Sequence, residues 1–221
     1  YLATGEISRF KLAEWLPYLS KPPQNNEQPR VSQLKFKLTA KAADIFGQTL
    51  LHTQIDGEKA DGGWLLEIRN PKANGTVRIP NNLKHKSIAL NFKNLALTKI
   101  TVSAIEKKNS PVNPIDFPHL TLKAQTFSYD GIDLGQIDFK TKKSNQGLEL
   151  QNLHFSDQDF QIEARGEWRL VGGHNFSDFT IDAFGNELKS LLVRFGYEVE
   201  NVDKGATEVR IRASWPGTPA D

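Results

Sequence analysis

A mainly β fold, built as a strongly curved antiparallel sheet with two short helices, is what this 221-residue sequence predicts. Three observations lead there. Apolar residues recur at every second position over most of the chain, the period of strands with one apolar and one wet face, and sheets wetted on one side are characteristically antiparallel. Several runs change parity midway at a glycine or a polar pair, as bulges and sharp bends do. Only two segments carry the i, i+3, i+4, i+7 spacing of an amphipathic helix.

The elements follow in chain order. Tyr1-Leu-Ala-Thr-Gly5 reads as a strand already under way. Leu12, Trp15, Leu16 and Leu19 then take helical spacing, with Pro17 keeping that helix short or broken. Residues 20–29 (SKPPQNNEQP) form a proline-rich connection. Leu34, Phe36, Leu38 and Ala40 alternate with Lys35, Lys37, Thr39 and Lys41, and shorter strands are expected at 49–55, 64–69, 76–79 and 88–97. A second connection, 107–118 (KKNSPVNPIDFP), precedes the alternation of Leu120, Leu122 and Ala124. Strands at 135–140 and 148–155 both change parity, at Gly135 and at Gln151-Asn152. Long alternations follow at Phe160–Leu170, Phe179–Ala183 and Val209–Trp215. Between the last two, Leu188, Leu191, Leu192 and Phe195 define a helix, with Asn186 as N-cap and Gly196 as stop.

These elements repeat. Leu34-Lys-Phe-Lys-Leu38 resembles Leu120-Thr-Leu-Lys-Ala124, each unit opens a later strand with glycine (Gly63-Trp64, Gly147-Leu148), and each closes on a glycine-bearing strand (Gly75, Gly166). The expected division is the end of a preceding β-repeat plus a short helix (1–19), a linker (20–30), a repeat (31–106), the proline-rich connection (107–118) and a repeat with its own helix near 186–195 (119–221). Repeats of this kind stack into open-ended architectures.

Composition removes several functions. Without cysteine there are no disulfides, thiolate nucleophiles or zinc–thiolate sites. Without methionine the chain does not begin at a translation start, and it is expected to be an internal piece of a longer protein. No apolar run approaches the roughly 18 residues of a membrane helix. Net charge is +2, with +8 on residues 1–115 (17 Lys/Arg, 9 Asp/Glu) and −6 on the remainder (11 against 17). No basic run is interleaved with aromatics, so nucleic acid is not an expected partner. His52, His85, His119, His154 and His174 are scattered, with no metal-ligand spacing, so no metal and no cofactor are expected. No Gly-x-Ser-x-Gly elbow exists. Asp130, Asp133, Asp157 and Asp159 fall at turns, where Asp accepts local backbone hydrogen bonds. The chain is therefore not expected to be an enzyme.

From Asp116 onward the sequence resembles a known family. The matching segments are DFPHLTLKAQTFSYDGIDLGQIDF, LELQNLHFSDQDFQIEARGEW, NELKSLLVRFGY and VRIRASWPGTP; the first half matches more loosely, through Gly5-Glu6-Ile7 and Leu12-Ala-Glu-Trp-Leu-Pro17. They are similar to the late part of the large AsmA-like proteins of Gram-negative bacteria, YhdP branch. The resemblance implies a taco-like β-groove with an apolar lining, in the periplasmic region of a protein anchored in the inner membrane by an N-terminal helix. It implies phospholipid acyl chains as cargo on the way to the outer membrane, with outer-membrane components as further partners. It supplies no catalytic residue.

On that reading, the inward residues of the long strands line the groove: Leu34, Phe36, Leu38, Leu120, Leu122, Phe160, Ile162, Ile181, Val209 and Ile211. Leu188, Leu191, Leu192 and Phe195 pack the helix. The alternative is a structural or adhesive β-repeat whose sheet fills its own interior and whose surface binds protein or glycan.

Overall fold

A computed structural model describes residues 1–20, 34–60, 62–83, 85–99, 113–186, 188–194, 196 and 205–219. One sheet holds β1 (Leu2–Lys11), β2 (Lys35–Ile45), β3 (Gln48–Ala60), β4 (Gly63–Asn70), β5 (Ala73–Pro80), β6 (Ile88–Leu97), β7 (Leu120–Tyr129), β8 (Ile132–Asp133), β9 (Gln136–Lys143), β10 (Gly147–Ser156), β11 (Phe160–Val171), β12 (His174–Gly185) and β13 (Thr207–Pro216). Spatial order follows chain order, except that β8 pairs only with β7 and β9 takes the next place. Helix α1 (Leu12–Leu19) follows β1, and α2 (Leu188–Arg194) precedes β13.

The ladder is antiparallel except at β1–β2 and β6–β7, which are parallel. One-sided wetting predicts antiparallel pairing throughout. The exceptions fall at the two proline-rich connections, because a hairpin cannot join parallel strands and a long crossover can. The first crossover contains α1, whose Leu12 and Leu19 are buried. Its Trp15 ring lies between Phe10 (5.3 Å) and Phe36 (6.1 Å), and Phe36 meets Trp64 at 5.7 Å. The helix therefore lies over the inner face. Described residues of the second crossover do the same: Pro114 is buried and Phe117 packs on Trp168 at 5.1 Å.

Recurring glycines make room on that face. Phe36 lies opposite Gly57, Phe92 opposite Gly75 and Phe179 opposite Gly166. A Cβ on these glycines would meet the ring at 2.2, 2.7 and 2.5 Å respectively.

The parity changes line up into a crease. Inward residues are Ile7 then Phe10 on β1, Ala40 then Ala43 on β2, Thr53 then Leu50 on β3, Phe92 then Leu95 on β6, and Ala124 then Phe127 on β7. Between each two, the ladder skips a pair: 8/41, 41/52 and 93/125. Two successive residues face outward there, and His52 takes φ 53°, a conformation that a non-glycine residue adopts only when its surroundings enforce it. β4 and β5 stop at the crease and turn back. Asn70, at the end of β4, pins the bend: its Nδ2 donates to Leu51 O (2.7 Å) and Thr53 Oγ1 (3.0 Å), and its Oδ1 accepts from Lys72 N (2.8 Å).

The convex face is charged and paired across strands: Lys35–Glu58, Arg69–Asp56, Lys123–Asp138 and Arg210–Asp182. At the first parallel join Arg9 holds Asp44 through two hydrogen bonds, of 2.6 and 3.0 Å. The Arg9 bond, opposed by partial burial and aided by Thr49, holds the Asp44 carboxyl below its ordinary 3.8.

Asn70→Ala is expected to cost about 2–3 kcal/mol in denaturant unfolding and to speed amide exchange at residues 51–53. Lys37→Ala, on the convex face, is expected to stay within about 0.5 kcal/mol. Because the Asp44 pKa is lowered on folding, the stabilisation from its pair with Arg9 is present above the unfolded value and lost as pH falls through the folded one. Asp44→Asn is expected to flatten stability against pH below about pH 4 and to leave the slope near neutrality unchanged.

Candidate functional site

The bend brings two limbs of the sheet face to face, and an apolar cavity of about 140 Å³ lies between them. From one side of the crease come Ile68, Leu90, Phe92, Leu120, Leu122 and Phe139; from the other come Ile45, Phe46, Leu50, Leu95 and Leu97, with Ala73 at the β4–β5 turn. Gln48 is the one polar side chain among the lining residues. Its amide bonds Thr98: Nε2 donates to Thr98 O (2.8 Å), while Oε1 accepts from Thr98 N (3.0 Å) and Thr98 Oγ1 (2.9 Å). The side chains lining the interior thus carry no charge.

Sequence periodicity places two of its ten expected lining residues, Leu120 and Leu122, in this cavity. The rest face inward elsewhere. Phe36 is buried beneath Trp15, with Leu38 half-buried beside it and Leu34 half-buried at the strand entrance. Phe160 is buried under the Arg194 guanidinium, 4.9 Å above its ring, and Ile162 is half-buried opposite Phe155. Ile181, Val209 and Ile211 lie on the inner face of β12 and β13, beyond the contiguous core. There Val209 is 38% and Ile211 50% exposed. Of the helix residues, Leu192 is half-buried; Phe195 and the side chains of Leu188 and Leu191 lie outside the described residues. Gly196 ends the helix as expected, at φ 84°.

Most of the cavity escaped sequence reading. Ile45, Leu95 and Leu97 have the opposite parity to the residues that open their strands, and Leu50 to the later inward residues of its strand, so they count as outward until the bend is known. Ile68 and Leu90 sit in runs that alternate visibly, and that signal was available.

The turn aspartates bond nearby backbone. Asp157 Oδ1 accepts from Asp159 N (2.7 Å) and Phe160 N (3.0 Å) and pairs with Arg194, while Asp133 Oδ1 accepts from Gly135 N (2.9 Å). Among the described residues no group of His, Cys, Asp and Glu could hold a metal ion. At the start of β7, burial and then Lys143, Lys142 and His85 lower the pKa of His119. No helix of the described residues is long and apolar enough to cross a membrane.

The site is a bent, one-sided β-sheet closing on a cavity lined by apolar side chains. The chain belongs to the YhdP family, an AsmA-like family: the family model described as YhdP protein matches residues 2–221. No curated protein and no solved structure matches the chain.

An apolar cavity of this kind stays dry and takes up apolar atoms. Crystals pressurised with xenon are expected to show a bound atom between Leu50, Leu90 and Leu122. A Leu90→Ala variant is expected to lose about 2–4 kcal/mol of stability.

Proposed function

We propose that this chain is a periplasmic segment of a YhdP-type protein that shields phospholipid acyl chains on their way between the inner and outer membranes. The observation that carries the reading is the cavity between the two limbs of the sheet, apolar on every side except at Gln48. Family membership supports it, because YhdP is an AsmA-like lipid-transport family.

The physical case rests on magnitudes. Each acyl CH₂ removed from water gains about 0.8 kcal/mol, so a 16-carbon chain exposed to solvent costs on the order of 12 kcal/mol. An apolar lining offsets most of that without holding the chain at one point. A charged or hydrogen-bonding lining would be left unpaired by an alkyl chain and would oppose its uptake. The ester and headgroup remain in water at the mouth. The open inner face of β12 and β13, with Val209 and Ile211 exposed, offers a continuation of the same surface.

The repeat division belongs to this reading. Residues 31–106 and 119–221 are two β-groove repeats, and residues 1–19 end an earlier one. Each parallel join falls where one unit gives way to the next. The family's N-terminal membrane anchor holds the assembly to the inner membrane, and outer-membrane components receive the lipid.

The test is photo-crosslinking in living cells, with the probe at Leu122, which lines the cavity, or at Lys123, which is ion-paired on the convex face. Phospholipid attached at 122 and absent at 123 is the expected result. Blank crosslinks at 122, 68 and 90 in a folded protein would overturn the proposal and leave a filled core, as in a scaffold or adhesive repeat. With the probe at Leu90 instead, Leu122→Asp is expected to cut lipid capture at least tenfold.

A further inference from the structure

Among the described residues, no ladder joins the tip of β3 to the end of β6 beside the cavity. β4 and β5 turn back at the crease, so the far limb lacks two strands between the tip of β3 and the end of β6. In a flat sheet β3 and β6 would stand three ladder spacings apart, about 14 Å. Here Gln48 at the tip of β3 reaches Thr98 just past the end of β6 and bonds it directly. The β4–β5 turn is bonded to β6 only as far as Ala96, through Lys72 O, and beyond it Gln48 is the side chain that joins the two edges among the described residues.

Several features mark this contact as openable. Thr98 is exposed and Gln48 is half-buried, so water can replace their three hydrogen bonds as the contact breaks. The β2–β3 tip bends at His52, whose φ of 53° stores backbone strain beside the arm. Asn70 grips the chain on both sides of His52, which fixes the pivot and leaves the tip as the moving part. Phe46 lines the cavity and is still 42% exposed, an apolar lip at the mouth.

We propose that the Gln48–Thr98 contact is the latch of a lateral opening through which an acyl lipid inserts its chain, and that the freed latch groups bind the ester collar of that lipid. When the latch opens, Thr98 N–H, Thr98 Oγ1 and the Gln48 amide face the mouth of an otherwise apolar chamber. They supply the donors that glycerol-ester carbonyl oxygens accept. The chain enters the cavity while its polar end exchanges for the Gln48–Thr98 bonds. This rests on the lipid-shielding reading above.

These 221 residues contain no cysteine, so once any cysteine outside them is replaced by serine, Gln48→Cys with Thr98→Cys gives a unique pair for a short bis-maleimide. In the intact protein, uptake of NBD-labelled phosphatidylethanolamine is followed from phosphatidylethanolamine/phosphatidylglycerol vesicles. The bridged protein is expected to load about tenfold more slowly than the same variant capped with a monofunctional maleimide. Gln48→Ala, which removes all three bonds, is expected to load several-fold faster than wild type. Equal rates for bridged and capped protein, or an unchanged rate for Gln48→Ala, would overturn the latch. Lipid crosslinked at Leu122 in the same preparation separates the two failures: present, the lateral opening alone is wrong; absent, the shielding role is wrong as well.

Discussion

A pleated strand presents alternate residues to opposite faces, and that alternation constrains everything else in this molecule. A sheet that bends sharply and keeps one apolar face inside must break the pleat at the bend, or its second limb would turn its apolar side outward. Strands β1, β2, β3, β6 and β7 all do this, by placing two successive residues outward at the same level. The breaks align because neighbouring strands share a ladder, so a bend in one must be matched by the next. Where β4 ends beside the crease, Asn70 supplies polar bonds for the backbone bent next to it.

The inner face is larger than its helices can cover, and the fold covers it in three ways. The α1 crossover covers the first strands through the Phe10–Trp15–Phe36–Trp64 contacts. The bend presses one limb on the other over the middle strands. The second crossover places Pro114 and Phe117 over β10 and β11. Beyond them, no described residue outside the sheet packs over Val209 and Ile211 on β13, and burial falls toward that end. The gradient is a consequence of where the crossovers land, not of composition, since Val209 and Ile211 are as apolar as Leu90 and Leu122.

The two faces separate energetics from function. Charge pairs on the convex side lie in water and contribute little each. Their effect is to keep the outer face wet and the register unambiguous, as opposite charges sit on partnered strands. The concave side supplies nearly all the burial, at roughly 1.5–3 kcal/mol for each fully buried aliphatic side chain. It also contains the cavity. One surface therefore carries both the stability of the fold and the site, and a substitution there affects both.

The period of two, the helix spacing and the proline-rich connections were legible before any coordinates, because they depend on neighbours one to four residues apart. They determined a mainly β chain, its strand positions, its two helices and the repeated Gly-bearing strands. Parity changes at Gly135 and Gln151-Asn152 even announced that the sheet bends. What the sequence left undecided is which residues meet across that bend. Ile45, Leu50, Leu95 and Leu97 line the cavity only because the crease reverses their face. Gln48 meets Thr98, fifty residues away, only because two intervening strands stop short. The parallel joins, too, depend on where a crossover lands. These are long-range pairings fixed by the curvature of a whole sheet, and no local pattern encodes them.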